Sequence, residues 1–90
     1  MKAVQIIVSG KVQGVFYRAS TLEQANELGI KGWVRNLPDR SVEIFAYGDE
    51  VSVNDLIKWC HKGPFLSNVE RVVHKDIETF EEPENFDIRY

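Results

Sequence analysis

The spacing of hydrophobic positions along this chain changes several times, and each change marks an element. In "KAVQIIVS", residues 2–9, Val4, Ile6 and Val8 recur at every second place, with Gln5, Ile7 and Ser9 between them. That alternation predicts a strand with one buried face. From Ala19 the period lengthens, and Ala19, Leu22, Ala25 and Leu28 form a helical stripe stopped by Gly29. The start of this helix is open: Ser20 and Glu23 have capping-box spacing, yet the chain could equally turn helical at Tyr17 or Arg18. "IKGWVRN" and "SVEIFAYG" read as two strands joined by the turn "LPDR", with Val42, Ile44 and Ala46 inward.

A second helix is expected after Asp49, a candidate N-cap. Its Val53, Leu56, Ile57 and Cys60 fall at i, i+3, i+4 and i+7, and Gly63-Pro64 ends it. A strand from Val69 to Ile77, the acidic loop "ETFEEPEN" and a short final strand "FDIRY" complete the order. Two βαβ halves with a hairpin between them predict an α+β, ferredoxin-like βαββαβ sandwich. Both helices then cover one face of an antiparallel sheet, with the short C-terminal strand added. In that fold the first and second strands run parallel with the third between them, so their C-terminal ends emerge at the same edge. The loop at 10–18 and the pair Arg35-Asn36 become neighbours, two strand spacings of ~4.8 Å apart.

Ninety residues predict one domain spanning 1–90. The net charge is −3, unevenly placed: residues 1–45 carry six Lys/Arg against four Asp/Glu, and residues 46–90 carry five against ten. A pI near 5.3 argues against a nucleic-acid partner, which calls for a clustered basic face. An anionic ligand should therefore be small and held by local groups in the first half. No stretch approaches the ~18 apolar residues of a membrane span, and the N-terminus carries no signal-peptide pattern. A single cysteine, Cys60, cannot close an intrachain disulfide, which fits a reducing compartment, so a cytoplasmic location is expected.

The loop "GKVQGVFYR", residues 10–18, is where chemistry concentrates. It contains no proline, so its backbone N–H groups from Lys11 to Tyr17 are available. Gly14 can take the positive φ that lets successive amides converge on an anion, a helix start behind it adds partial positive charge, and Arg18 offers a planar fork for two phosphate oxygens. The G-x-x-x-x-G-K-[ST] spacing of a P-loop is absent. On the loop alone, an anion site and a simple turn with a solvated arginine are equally open.

Two stretches resemble the signatures of the acylphosphatase family. The pattern G-x-V-Q-G-V-x-F-R is met at Gly10, Val12, Gln13, Gly14, Val15 and Arg18, with Tyr17 where phenylalanine is usual. The second pattern, G-W-V-x-N with a later G-x-V and a glycine, is met at Gly32, Trp33, Val34, Asn36, Val42 and Gly48. "FDIRY" also resembles the family's ending, and the likeness covers nearly the whole chain. It implies metal-independent, cofactor-free hydrolysis of the carboxyl–phosphate bond of a small-molecule acyl phosphate by a monomer, without nucleic acid or membrane. By resemblance, Arg18 and Asn36 are the catalytic pair, binding phosphate and orienting water. The phosphate-binding stretch is Lys11, Val12, Gln13, Gly14, Val15, Phe16, Tyr17 and Arg18.

One departure is plain. The family usually has glycine where this chain has Arg40, and glycine there suggests a positive φ that arginine tolerates poorly. Either Asp39 takes the left-handed position or the turn has another shape. The implied chemistry otherwise suits the residues. A carboxylate leaves as a weak base, so no general acid is needed, and phosphoryl transfer asks for alignment and charge neutralisation. An asparagine can hold water without repelling a dianion. Lys11 is either an electrostatic aid or a surface lysine, and Gln13 is a candidate buttress of the loop.

His61 and His74 lie on different elements without a second ligand at metal spacing, Cys60 repeats with the apolar face of its helix, and Trp33 and Trp59 read as packing residues. Two alternatives remain. One is a catalytically weak anion- or ligand-binding ferredoxin-like module. The other is a lone copy of the domain that the family contributes to larger carbamoyl-transferring maturation proteins.

Overall fold

Alternation in the first strand and in the central hairpin is realised as an antiparallel core. The computed structural model describes residues 1–78 and 82–90; Thr79, Phe80 and Glu81 of the acidic loop lie outside the described residues. The order is β1 (Lys2–Lys11), α1 (Tyr17–Leu28), β2 (Lys31–Asn36), β3 (Val42–Gly48), α2 (Glu50–Lys62), β4 (Asn68–Asp76) and β5 (Phe86–Arg89). The strands form one sheet in the order β4-β1-β3-β2-β5. β3 is antiparallel to β1 and to β2, so those two run parallel to each other, as the sandwich requires. β5 joins β2 in parallel, pairing Val34 with Ile88, and the sheet is therefore mixed.

Val4, Ile6, Val8, Val34, Val42, Ile44 and Ala46 are buried on one face, where they meet Val53, Leu56, Ile57 and Cys60 of α2. The stripe expected for α2 is thus the buried one. α2 lies against β4 and β1, and α1 lies against β2 and β5. α1 takes the earlier of the starts left open and departs from the expected stripe at Ala19. It starts at Tyr17, so Ser20 sits inside the helix, donating its N–H to the Phe16 carbonyl at 3.0 Å, and the Ser20–Glu23 capping box does not form. Its buried residues are Tyr17, Thr21 and Ala25, with Leu22 and Leu28 partly buried, whereas Ala19 is exposed. The large Tyr17 ring, one turn before Thr21, sets which way the helix faces.

The hairpin between β2 and β3 answers the question of Arg40. Arg40 donates its N–H to the Leu37 carbonyl at 3.1 Å, and Leu37 donates to Ser41 at 2.9 Å. Arg40 itself adopts φ 74°; the left-handed residue is neither Asp39 nor displaced by a new turn shape. Asp39 instead accepts from the N–H and hydroxyl of Ser41, and these bonds hold its carboxyl below the usual range. The turn survives because the hairpin's two closing bonds and the Asp39–Ser41 pair over-determine it. Arg40→Gly is expected to stabilise the fold by roughly 0.5–1 kcal/mol, since relief of the left-handed penalty exceeds the added unfolded-state entropy. A thermal melt showing a lower Tm for the variant would contradict this.

Candidate active site

The C-terminal ends of β1, β2 and β5 converge at one end of the sheet, and the loop from β1 to α1 closes over them. An irregularity between Ser9 and Gly10 shifts the register of β1 against β4, and pairing continues to Lys11. A Cβ on Gly10 would lie 2.3 Å from the Asn68 carbonyl oxygen, so only glycine lets β4 approach there. Farther along, Gly14 has φ 73° in open space, and Phe16, the N-cap of α1, has φ 65°. No side chain caps α1, and its first turn contains no acidic residue. The unpaired amides of that turn therefore keep their partial positive charge.

A cleft of about 260 Å³ opens at this point, lined by Val12, Gly14, Phe16, Tyr17, Arg18, Ala19, Asn36, Ile88 and Tyr90. Arg18 and Asn36, eighteen residues apart in sequence, share it. Arg18 is only partly buried and makes no ion pair with a carboxylate among the described residues, where Lys2–Asp76 and Arg35–Glu43 are the pairs formed. Its Nη1 donates to the Arg89 carbonyl at 3.4 Å, and its guanidinium lies 4.8 Å from the centre of the Tyr90 ring. Asn36 falls on the helix side of β2 by strand alternation, the same side as buried Val34. Its Oδ1 is buried and, among the described residues, accepts no hydrogen bond. Arg35, one residue earlier, points to the other face, where its Nε donates to Glu43 at 2.6 Å.

Two anchors, one buried and one half-buried, fix these groups. The Tyr17 hydroxyl donates to the Cys60 carbonyl at 2.9 Å, satisfying a carbonyl in the last turn of α2. This ties the first residue of α1, and with it Arg18, to the end of the other helix. Burial pushes the Tyr17 hydroxyl well above its ordinary pKa, with Cys60 adding to the shift, so it stays a donor. Burial likewise pushes the Cys60 thiol up to about 12, leaving it protonated in the core. Tyr17→Phe is expected to cost about 1–2 kcal/mol, from one lost buried bond and a carbonyl left unpaired. Denaturant unfolding would measure this directly, and an unchanged midpoint would remove the anchor. The second anchor is Gln13, whose Nε2 donates to the Leu37 carbonyl at 2.9 Å and to the Ser41 carbonyl at 2.8 Å. It bolts the loop to the hairpin that follows Asn36.

Of the residues picked out in the sequence, Val12, Gly14, Phe16, Tyr17, Arg18 and Asn36 meet at the cleft. Lys11 and Gln13 instead border a second depression with Asp39, Arg40 and Glu70, and Val15 is buried in the core. Tyr17 turns its ring inward, so only its backbone can face an anion. Sequence reasoning missed Ala19, Ile88, Tyr90 and the Arg89 carbonyl. The alternation of Phe86, Ile88 and Tyr90 placed Ile88 and Tyr90 on one face, but only the parallel pairing of β5 with β2 brings that face beside Asn36.

Comparison with known proteins agrees with this fold. Residues 4–88 match the family described as Acylphosphatase. An acylphosphatase from Methylococcus capsulatus is 56% identical over 69 residues, covering 77% of this chain and 75% of that one. One from Marinobacter nauticus is 49% identical, covering 90% and 88% of the two chains. The crystal structure of acylphosphatase from Bacillus subtilis superposes with a TM-score of 0.96 at 32% identity, with full coverage of both chains. The fold is shared with the Bacillus subtilis protein over the full length of both chains, the family match spans residues 4–88, and the chain belongs to the acylphosphatase family.

Proposed function

We propose that this acylphosphatase holds the phosphoryl group of its substrate on the 10–18 loop and Arg18, and aligns the attacking water with Asn36. The observation that carries this reading is the buried Oδ1 of Asn36, unpartnered among the described residues, in the same cleft as an arginine that pairs with no carboxylate among them. A buried acceptor without a donor costs about 1–3 kcal/mol, a cost that a water O–H removes. The amides of Gly14, Phe16, Tyr17 and the first turn of α1, with the fork of Arg18, spread over the equatorial phosphoryl oxygens as charge redistributes.

Water oxygen then forms a bond to phosphorus while the bond from phosphorus to the acyl oxygen breaks. The leaving group departs as a carboxylate, carrying its electron pair and needing no proton from the protein. One water proton passes to a phosphate oxygen, and the products are the carboxylate and inorganic phosphate. Asn36 accepts from the water at Oδ1 and adds no negative charge beside a dianionic substrate.

The cleft is assembled within one chain, which supports action as a monomeric single domain. No helix among the described residues is long and apolar enough to cross a membrane. A lone buried cysteine suits a reducing, cytoplasmic setting. Assay of the purified protein with benzoyl phosphate, with inorganic phosphate as inhibitor, tests the reading. Hydrolysis inhibited competitively by phosphate is expected, and phosphate that inhibits without competing with substrate would place the anion site elsewhere. Light scattering of the same sample should give the mass of one chain.

A further inference from the structure

Phe16 is an expensive residue for the fold. Its backbone is left-handed at φ 65°, a conformation that is an outlier for a bulky side chain. Its ring is 74% exposed. It occupies the N-cap of α1 without satisfying any amide there, where asparagine would tolerate the left-handed backbone. Nothing in the packing of the fold repays these costs, because the ring is not part of the buried core. What Phe16 does is line the cleft, together with Ile88 and Tyr90, whose ring lies against Arg18.

We infer that Phe16 is the specificity-determining residue for the carbon half of the substrate, and that the cleft selects acyl phosphates with an aromatic or similarly large apolar acyl group. The inference rests on the cleft being the phosphate site. With phosphate held by Arg18 and the loop amides, the acyl group projects away from them. The cleft surfaces left to receive it are Phe16, Ile88, Tyr90 and the exposed Ala19, none of which has a charged side chain. A flat apolar acyl group gains ring contact with Phe16, whereas an acetyl group is too small to reach far across it. Strain retained at a binding site is consistent with such a use.

The test compares kcat/KM for benzoyl phosphate and acetyl phosphate in wild type, Phe16→Asn, Phe16→Tyr and Arg18→Ala. Aromatic contacts of this kind are worth about 0.5–1.5 kcal/mol, or roughly 2- to 13-fold. Phe16→Asn should accordingly lower the benzoyl-to-acetyl ratio about fivefold, while its Tm holds or rises. Phe16→Tyr should keep the wild-type ratio. An equal loss on both substrates, an unchanged ratio, or a lower Tm for Phe16→Asn would each overturn the inference. Arg18→Ala separates this from the site itself. Loss of both activities in that variant alongside an unaltered ratio in Phe16→Asn sinks the inference alone, and retention of both activities sinks the phosphate site.

Discussion

Arg18→Ala is expected to reduce turnover of an acyl phosphate by roughly 10³-fold or more, the scale on which a phosphoryl-clamping arginine acts. The size follows from what Arg18 does and does not touch. Its only polar contact among the described hydrogen bonds is a long one, 3.4 Å to the Arg89 carbonyl, supplemented by the Tyr90 ring at 4.8 Å. Neither neutralises its charge, so the full positive charge remains for phosphate oxygens. These weak contacts also predict that the fold barely notices the change, by less than about 1 kcal/mol. Inorganic phosphate should bind more weakly as an inhibitor. Arg18→Lys should rescue little, because one ammonium cannot present two parallel donors. Wild-type turnover in a folded Arg18→Ala protein would remove Arg18 from the mechanism.

The second large effect is at Asn36, where chemistry and stability should separate. Asn36→Ala is expected to lower turnover by roughly 10²-fold or more, from loss of the group that aligns the water. Phosphate affinity should stay within a few-fold, since Arg18 and the loop amides remain. Were Asn36 a cap for the hairpin, its loss would lower the Tm and spare turnover. Its side chain, however, makes no hydrogen bond to the hairpin among those described, and the buried Oδ1 is unpaired. With no protein hydrogen bond to lose at that oxygen, the Tm should hold. Asn36→Asp should fail differently: its carboxylate repels the phosphate, weakening binding, and the repulsion eases at high salt. Phosphate affinity, turnover and Tm measured on one set of samples distinguish these cases. A variant that melts earlier yet turns over at the wild-type rate would leave Asn36 with a structural role only.

Parts of this were legible without coordinates because they depend on local periodicity. The two-residue repeat of Val4, Ile6 and Val8 and the i, i+3, i+4, i+7 spacing of Val53, Leu56, Ile57 and Cys60 each bury one face whatever lies opposite. Element order then leaves few ways to cover those faces, and β1 and β2 must run parallel around β3. That alone places the loop at 10–18 beside Asn36. The family likeness of the two signature stretches follows from residues adjacent in sequence, and needs no fold to be seen.

What the sequence could not settle were choices between elements distant in the chain. Ser20 and Glu23 have the spacing of a cap, yet the helix begins four residues earlier than that cap would set because Tyr17 gains a buried ring and a bond to Cys60, forty-three positions away. That packing gain outweighs a local capping preference of about 1 kcal/mol, and it rotates Ala19 outward to the cleft. Gln13 reaches Leu37 and Ser41, and Tyr90 reaches Arg18, only because the sheet order brings those strand ends together. Arg40 keeps a left-handed backbone that its side chain disfavours, since the hairpin's closing bonds outweigh one residue's strain. Periodicity and motif fixed what each segment is; contacts across the sheet decided which way its side chains face, because burial and hydrogen bonding are gained only where two segments meet.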